Sequence, residues 1–180
     1  SRIKNLIPNK ALKSLYHALI HSHLTYCSSI ISCTSKSNVN KITQAQKKAI
    51  RIICNRPRFE HTQPLFHELG ILDFPRIITS SHLQFMHSIY HNYSLPVFGG
   101  LWPKNLDRET QYDLRNADEF VIPKINLQSF KNFPPYSFPS SWNLFGPNKY
   151  QPNPFTFKIS LKADLILQLD PANDEINNQN

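Results

Sequence analysis

The chain has 180 residues, 40% of them hydrophobic, with 20 Lys+Arg against 12 Asp+Glu and a formal net charge of +8. That length suits one ordinary domain, with a core somewhat leaner than the usual ~45–50% apolar composition provides. No apolar run approaches the ~20 residues that span a bilayer, no secretory leader is visible, and Cys27, Cys33 and Cys54 are too few and too irregular for a disulfide framework. The expectation is an intracellular protein, nuclear or cytoplasmic, neither secreted nor membrane-bound.

The charge is unevenly placed. Residues 1–60 hold 11 bases and one acid, Glu60, for a net +10, whereas residues 61–180 hold nine bases and 11 acids, for a net −2. A basic part beside a near-neutral remainder points to a polyanionic partner, nucleic acid first among them. The sequence opens inside a basic, helix-like run and reads as a piece of something longer.

In chain order, Pro8 suits a helix start. From it Leu12, Leu15, Tyr16, Leu19, His23, Tyr26, Cys27 and Ile30 recur at three- and four-residue steps, predicting a helix to Cys33 whose stripe is buried scaffold. Lys10 and Lys13 fall off that stripe and are expected to reach outward. Residues 34–38 form a loop, and Ser37 or Asn38 is expected to cap a second helix to Cys54 with the stripe Val39, Ile42, Ala45, Ala49, Ile52 and Ile53. Thr62 is expected to cap a short helix that Gly70 stops, and Asp73 another that runs through Met86 to about His91.

After Leu95 the composition changes, with nine of the 14 prolines falling in residues 95–154. Proline at that density argues against long helices and central strands. The expectation is an extended arm with short strands near Phe120–Ile122 and Tyr136–Phe138. Aromatic anchors at Trp102, Tyr112, Phe130, Phe133, Tyr136, Phe138 and Trp142 would pin it down. Asn153 and Pro154 open a last helix with Phe157, Leu161, Leu165 and Leu169 at four-residue steps, and the acidic end from Pro171 is expected to be disordered.

Catalytic signatures are weak. His17, His21, His23 and Cys27 have helical i, i+4 spacing, but one helix cannot supply a tetrahedral metal set from two faces and no C-x2-C pair completes it. His23 and Cys27 fit the apolar stripe and are read as core. The acidic pairs Asp118-Glu119 and Asp174-Glu175 are sequence neighbours that point apart, and no glycine-rich phosphate loop is present. The basic residues carry more. Lys41, Lys47, Lys48, Arg51, Arg56 and Arg58 can each neutralise a backbone phosphate, giving salt-sensitive, sequence-tolerant affinity. Tyr16, Tyr26 and Phe59 are the aromatics able to stack a base, the first two being on the apolar stripe.

Several short motifs then occur in a recognisable order. They are LYHALIHSHLTY at 15–26, QKKAIRII at 46–53, His61-Thr-x-Pro-Leu-Phe through Leu72, Leu95-Pro96, YDLR at 112–115, Trp142-Asn143-Leu144 and Phe157-Lys-x-x-Leu-Lys162. In that order they resemble the C-terminal part of reverse transcriptases of non-LTR (LINE-type), jockey-like retrotransposons, over residues 15–169. Departures are Cys27 where the family has Gly, Ile31 and Ser32 in place of Trp-Gly, and Phe145-Gly146 where Pro is expected.

The resemblance implies an RNA-directed DNA polymerase fragment that begins within the helical thumb and grips template–primer nucleic acid, RNA or DNA, through its backbone. Gln46, Lys47, Lys48 and Arg51 are the positions it carries to that role, with Lys41 beside them and Arg56 and Arg58 after. The catalytic palm and its magnesium would lie upstream, with the fingers, leaving this stretch non-catalytic and without a cofactor. The fold so implied is mainly α. It comprises a compact, basic, thumb-like bundle over 1–94, a proline- and aromatic-rich arm over 95–152, a C-terminal helix over 153–170 and an acidic tail over 171–180. The alternative is a non-enzymatic helical protein-interaction module with a basic face.

Overall fold

A computed structural model describes residues 7–26, 28–107 and 115–169. The described chain is mainly helical, without a strand, and it divides into two compact units. One comprises Ser1–Ile78 with Lys162–Asn180, and the other Thr79–Leu161. The division therefore falls inside two helices, whereas the composition changes at residue 95. The expected tail from Pro171, together with Cys27 and Tyr112, lies outside the described residues.

The first unit begins with α1 (Asn9–Tyr16), which continues through a π-helical turn (His17–His21) into α2 (Ser22–Thr25). Tyr26 then leaves the helical region at ψ 122, and α3 (Ser28–Ile31) follows. The single long helix expected to Cys33 is thus interrupted twice. Its buried line is also narrower than the periodicity implies. Tyr16 is buried and Leu12 and Ile20 pack beside it, but Leu15, Leu19, Tyr26, Ile30 and His23 are exposed. The first helix is therefore not simply buried scaffold, and His23 is not a core residue.

α4 (Lys36–Ile53) is capped by Ser35, not by Ser37 or Asn38, and the Ser35 hydroxyl accepts from the Asn38 N–H at 3.4 Å. Its inward side is Val39, Ile42, Thr43, Gln46, Ala49, Ile50 and Ile53, leaving Ala45 and Ile52 outside. Four of the six residues of the expected stripe lie on it; hydrophobicity alone misses Thr43 and Gln46, which are polar but internally bonded. Thr43 donates to the Val39 carbonyl at 2.9 Å, and the Gln46 amide is bonded as described below. Ile50 and Ile53 meet Tyr16, Leu65, Phe66, Ile71 and Leu169, each full burial contributing roughly 1.5–3 kcal/mol. α5 (Gln63–Leu69) supplies Leu65 and Phe66. Thr62 stands at its N-cap position, but makes no capping bond through its side chain. α6 (Phe74–Tyr90) starts as expected at Asp73, whose carboxylate accepts from the Arg76 N–H at 3.2 Å and from its guanidinium at 2.9 Å.

Three helices stop by one mechanism. Gly70, Asn55 and Asn92 have φ of 63, 55 and 58°. The next N–H in each case reaches back five residues, Ile71 to Phe66, Arg56 to Arg51 and Tyr93 to Ser88. These left-handed caps satisfy carbonyls that a helix end otherwise leaves open.

The second unit holds the rest of α6, then α7 (Pro96–Gly99), α8 (Pro134–Leu144) and the start of α9 (Pro154–Leu167), with 3-10 turns at Asn105–Asp107, Gln128–Asn132 and Pro147–Tyr150. Helical segments and turns occupy much of the expected extended arm for a definite reason, with residues 121–125 left irregular. Pro96, Pro134, Pro147 and Pro154 each open a helical segment, where a missing N–H costs nothing and a fixed φ helps. Tyr136–Phe138 lies inside α8, not in a strand. At Phe120 the backbone is extended, but it makes an isolated bridge to Lys104 and no strand. Further pairing comes from the Asn143 side chain, which accepts from the Phe120 N–H at 3.1 Å and donates to its carbonyl at 2.8 Å. Trp142, Phe138 and Trp102 are buried as expected of anchors, while Phe130 and Phe133 are substantially exposed. Phe85 packs edge-on to Trp102 at 5.7 Å and Phe138 at 5.4 Å, and His87 stacks on Phe157 at 4.1 Å. Asn153 caps α9 through the N–H groups of Phe155 and Thr156, and Phe157, Leu161, Leu165 and Leu169 are all buried.

Candidate nucleic-acid interface

No acidic residue occurs on α4. With Gln46, Ile50 and Ile53 turned to the core, the opposite face presents Ser37, Asn40, Lys41, Gln44, Ala45 and Lys48, which together line an open depression of about 600 Å³. The spacing explains the grouping. Positions 37, 41, 44/45 and 48 recur every three or four residues, and Lys41 and Lys48 stand two turns apart, roughly 10 Å along the axis. Two ammonium groups, two amides and a hydroxyl around one small residue make a surface of hydrogen-bond donors. It fits phosphate oxygens.

The seven residues expected at this site separate into four groups. Lys41 and Lys48 share the depression. Lys47 and Arg51 lie on its flank, Arg51 about 60° round from Lys48, and both are half-buried. The Arg51 Nε donates to the Glu60 carbonyl at 2.9 Å, so part of its guanidinium serves the fold. Arg56 and Arg58 occupy the loop after the helix, both exposed, and Arg56 lies 3.5 Å from the Glu60 carboxylate.

Gln46 belongs elsewhere. It is 1% exposed, and its Nε2 donates to the Tyr16 hydroxyl at 2.8 Å and the Leu72 carbonyl at 2.9 Å. An amide held in this way cannot face a phosphate, and the expectation for Gln46 is corrected accordingly. Burial also raises the Tyr16 hydroxyl above its usual pKa, which the bond from Gln46 partly offsets. Lys13 is likewise not an outward cation, since its ammonium donates to the Leu69 carbonyl at the end of α5. Ser37, Asn40 and Gln44 stand outside the expected set, although their spacing from Lys41 and Lys48 is the signal that could find them.

The histidines form a separate cluster. The π turn brings His17 and His21 to 5.1 Å between ring centres, edge to face, with Tyr16 beside both. Burial holds both imidazoles below their usual pKa, aided at His17 by Lys13 and Lys162 and at His21 by His17 and Lys162. Cationic neighbours oppose a bound cation. Among the described residues no group of three or more His, Cys, Asp or Glu could hold a metal ion, and no helix is long and apolar enough to cross a membrane.

No protein-family model, curated protein or solved structure matches the chain.

Proposed function

We propose that this chain is part of an RNA-directed DNA polymerase, the reverse transcriptase of a non-LTR mobile element. In this reading it is the helical, thumb-like part that grips template–primer nucleic acid and carries no palm. The observation that supports it best is the acid-free face of α4, where Lys41 and Lys48 project among donor side chains. Such a face takes a phosphate backbone without regard to sequence, as a polymerase requires of the part that holds every product it makes. Further support comes from the motif residues themselves. Tyr16, Ile50, Trp142, Asn143, Phe157 and Leu161 make internal packing or hydrogen bonds, the kind of duty that a shared fold imposes. Polymerising chemistry and its magnesium belong, on this reading, to the palm.

Fluorescence anisotropy with a labelled RNA–DNA hybrid tests the proposal. Binding should weaken as salt rises, and Lys41→Glu with Lys48→Glu should flatten the slope of log affinity against log salt by about one for each phosphate no longer neutralised. Unchanged affinity in that double variant would remove these residues from the site.

A second reading has its own observation. Leu15, Leu19, Tyr26 and Ile30 are between 45% and 76% exposed, more apolar surface than the first helical segments need. They suit an apolar face on a protein partner, and the net +10 of residues 1–60 favours one that is acidic. Absence of any nucleic-acid affinity at low salt, for hybrid or single strand, would favour this interaction module.

A further inference from the structure

Phe59 is 90% exposed, the most exposed of the large hydrophobic side chains described. Its backbone is nevertheless firmly held. The left-handed cap at Asn55 turns the chain off α4, with the Arg56 N–H bonded to the Arg51 carbonyl at 2.9 Å. Pro57–Glu60 then closes a turn, Glu60 N–H to Pro57 carbonyl at 3.3 Å, and Arg51 grips the Glu60 carbonyl. A ring displayed at the tip of a turn braced at three points is presented, not left over. Arg56 and Arg58 are its exposed near neighbours in sequence, on the turn that follows the C-terminal end of α4, the helix that carries Lys41 and Lys48.

We propose that Phe59 is a base-stacking residue, so that this face takes nucleic acid offering an unpaired base, a single strand or the overhang of a duplex, in preference to continuous duplex. The inference rests on the nucleic-acid reading of α4 and sharpens it. Phosphate contacts at Lys41 and Lys48 bring the strand in. The exposed aromatic face then accepts the flat surface of whichever base arrives, since every base has one. A base within a closed duplex has no face to give.

The test is anisotropy of the full chain with two labelled probes, a single-stranded oligonucleotide and a blunt RNA–DNA hybrid. Phe59→Ala should weaken the single strand by about tenfold and the blunt hybrid far less, without changing either salt slope, because stacking releases no counterions. Phe59→Leu should behave like the alanine variant. Phe59→Trp should restore affinity, and its added fluorescence, read above that of the buried Trp102 and Trp142, should be quenched by the oligonucleotide. Circular dichroism checks that each variant folds, which an exposed turn residue should not impair. Single-strand binding unchanged in Phe59→Ala, while Lys41→Glu with Lys48→Glu weakens it, overturns the stacking role and leaves the basic face standing. Failure of the wild-type chain to bind either probe at low salt overturns both.

Discussion

At the scale of single residues, identity predicts charge well and orientation poorly. Gln46 lies between Ala45 and Lys47 on the same helix, yet it alone of the three is core, because a helix turns about 100° per residue. Its amide joins α1 to the segment before α6 through Tyr16 and Leu72. Gln46→Leu should therefore lower stability by about 1–3 kcal/mol, the cost of leaving a buried hydroxyl and carbonyl without their donor. It should leave the salt dependence of nucleic-acid binding unchanged. Urea unfolding and anisotropy on the same variant separate the two effects. A loss of affinity without a loss of stability would return Gln46 to the interface.

At the scale of elements, the second unit shows how a side chain can stand in for a strand. Phe120 is 2% exposed and has β-like backbone, but the partner offered to its N–H and carbonyl is the Asn143 amide. Asn143 follows Trp142 on α8, so helix placement, aromatic burial and the extended segment at Phe120 are coupled. Asn143→Ala should cost about 1–3 kcal/mol, since both backbone groups of Phe120 lose a partner at once. Thermal unfolding measures this, and Asn143→Asp, which keeps the acceptor but not the donor, should fall between. Proline teaches a related lesson. Read as a breaker it forecasts an arm, but at four places it opens a helical segment, and Pro139 is even tolerated within α8.

At the scale of the whole molecule, the titrating histidines share one direction. His82, buried in the second unit against Phe138 at 4.4 Å, has its pKa lowered by burial from 6.5 to about 4. Burial also leads the lowering at His17, His21, His87 and His91. The unfolded chain thus binds more protons than the folded chain between about pH 6.5 and 4. The stability these histidines contribute is complete above pH 6.5 and is lost as the pH falls through that window. His82 alone accounts for roughly 2 kcal/mol of that loss by pH 5 and roughly 3 kcal/mol below pH 4. Urea midpoints at pH 7 and pH 5 should differ accordingly, and His82→Leu should reduce the difference. An unaltered pH profile in that variant would exclude His82 as the main contributor.

What the sequence determined was whatever depends on composition or on short-range spacing. It determined the basic first third, the helical class, the helix stop at Gly70 and start at Asp73, and the four-residue stripe of α9. These follow from local backbone preference and from periodicity, both of which a single chain displays openly. Tertiary structure decided which of several competing faces was buried. Gln46 went inside with its Nε2 bonded to Tyr16 and Leu72, and Thr43 with its hydroxyl bonded to Val39, while Leu15, Leu19 and Ile52 stayed outside although nothing in their chemistry demanded it. Tertiary structure also withdrew Lys13 and Gln46 from the cations and donors available to a ligand, and left Lys41 and Lys48 together. For Gln46 and Lys13 the physical reason is the same: their hydrogen-bond partners, Tyr16 with Leu72 and Leu69, are distant in sequence, and spacing along one helix carries no record of them.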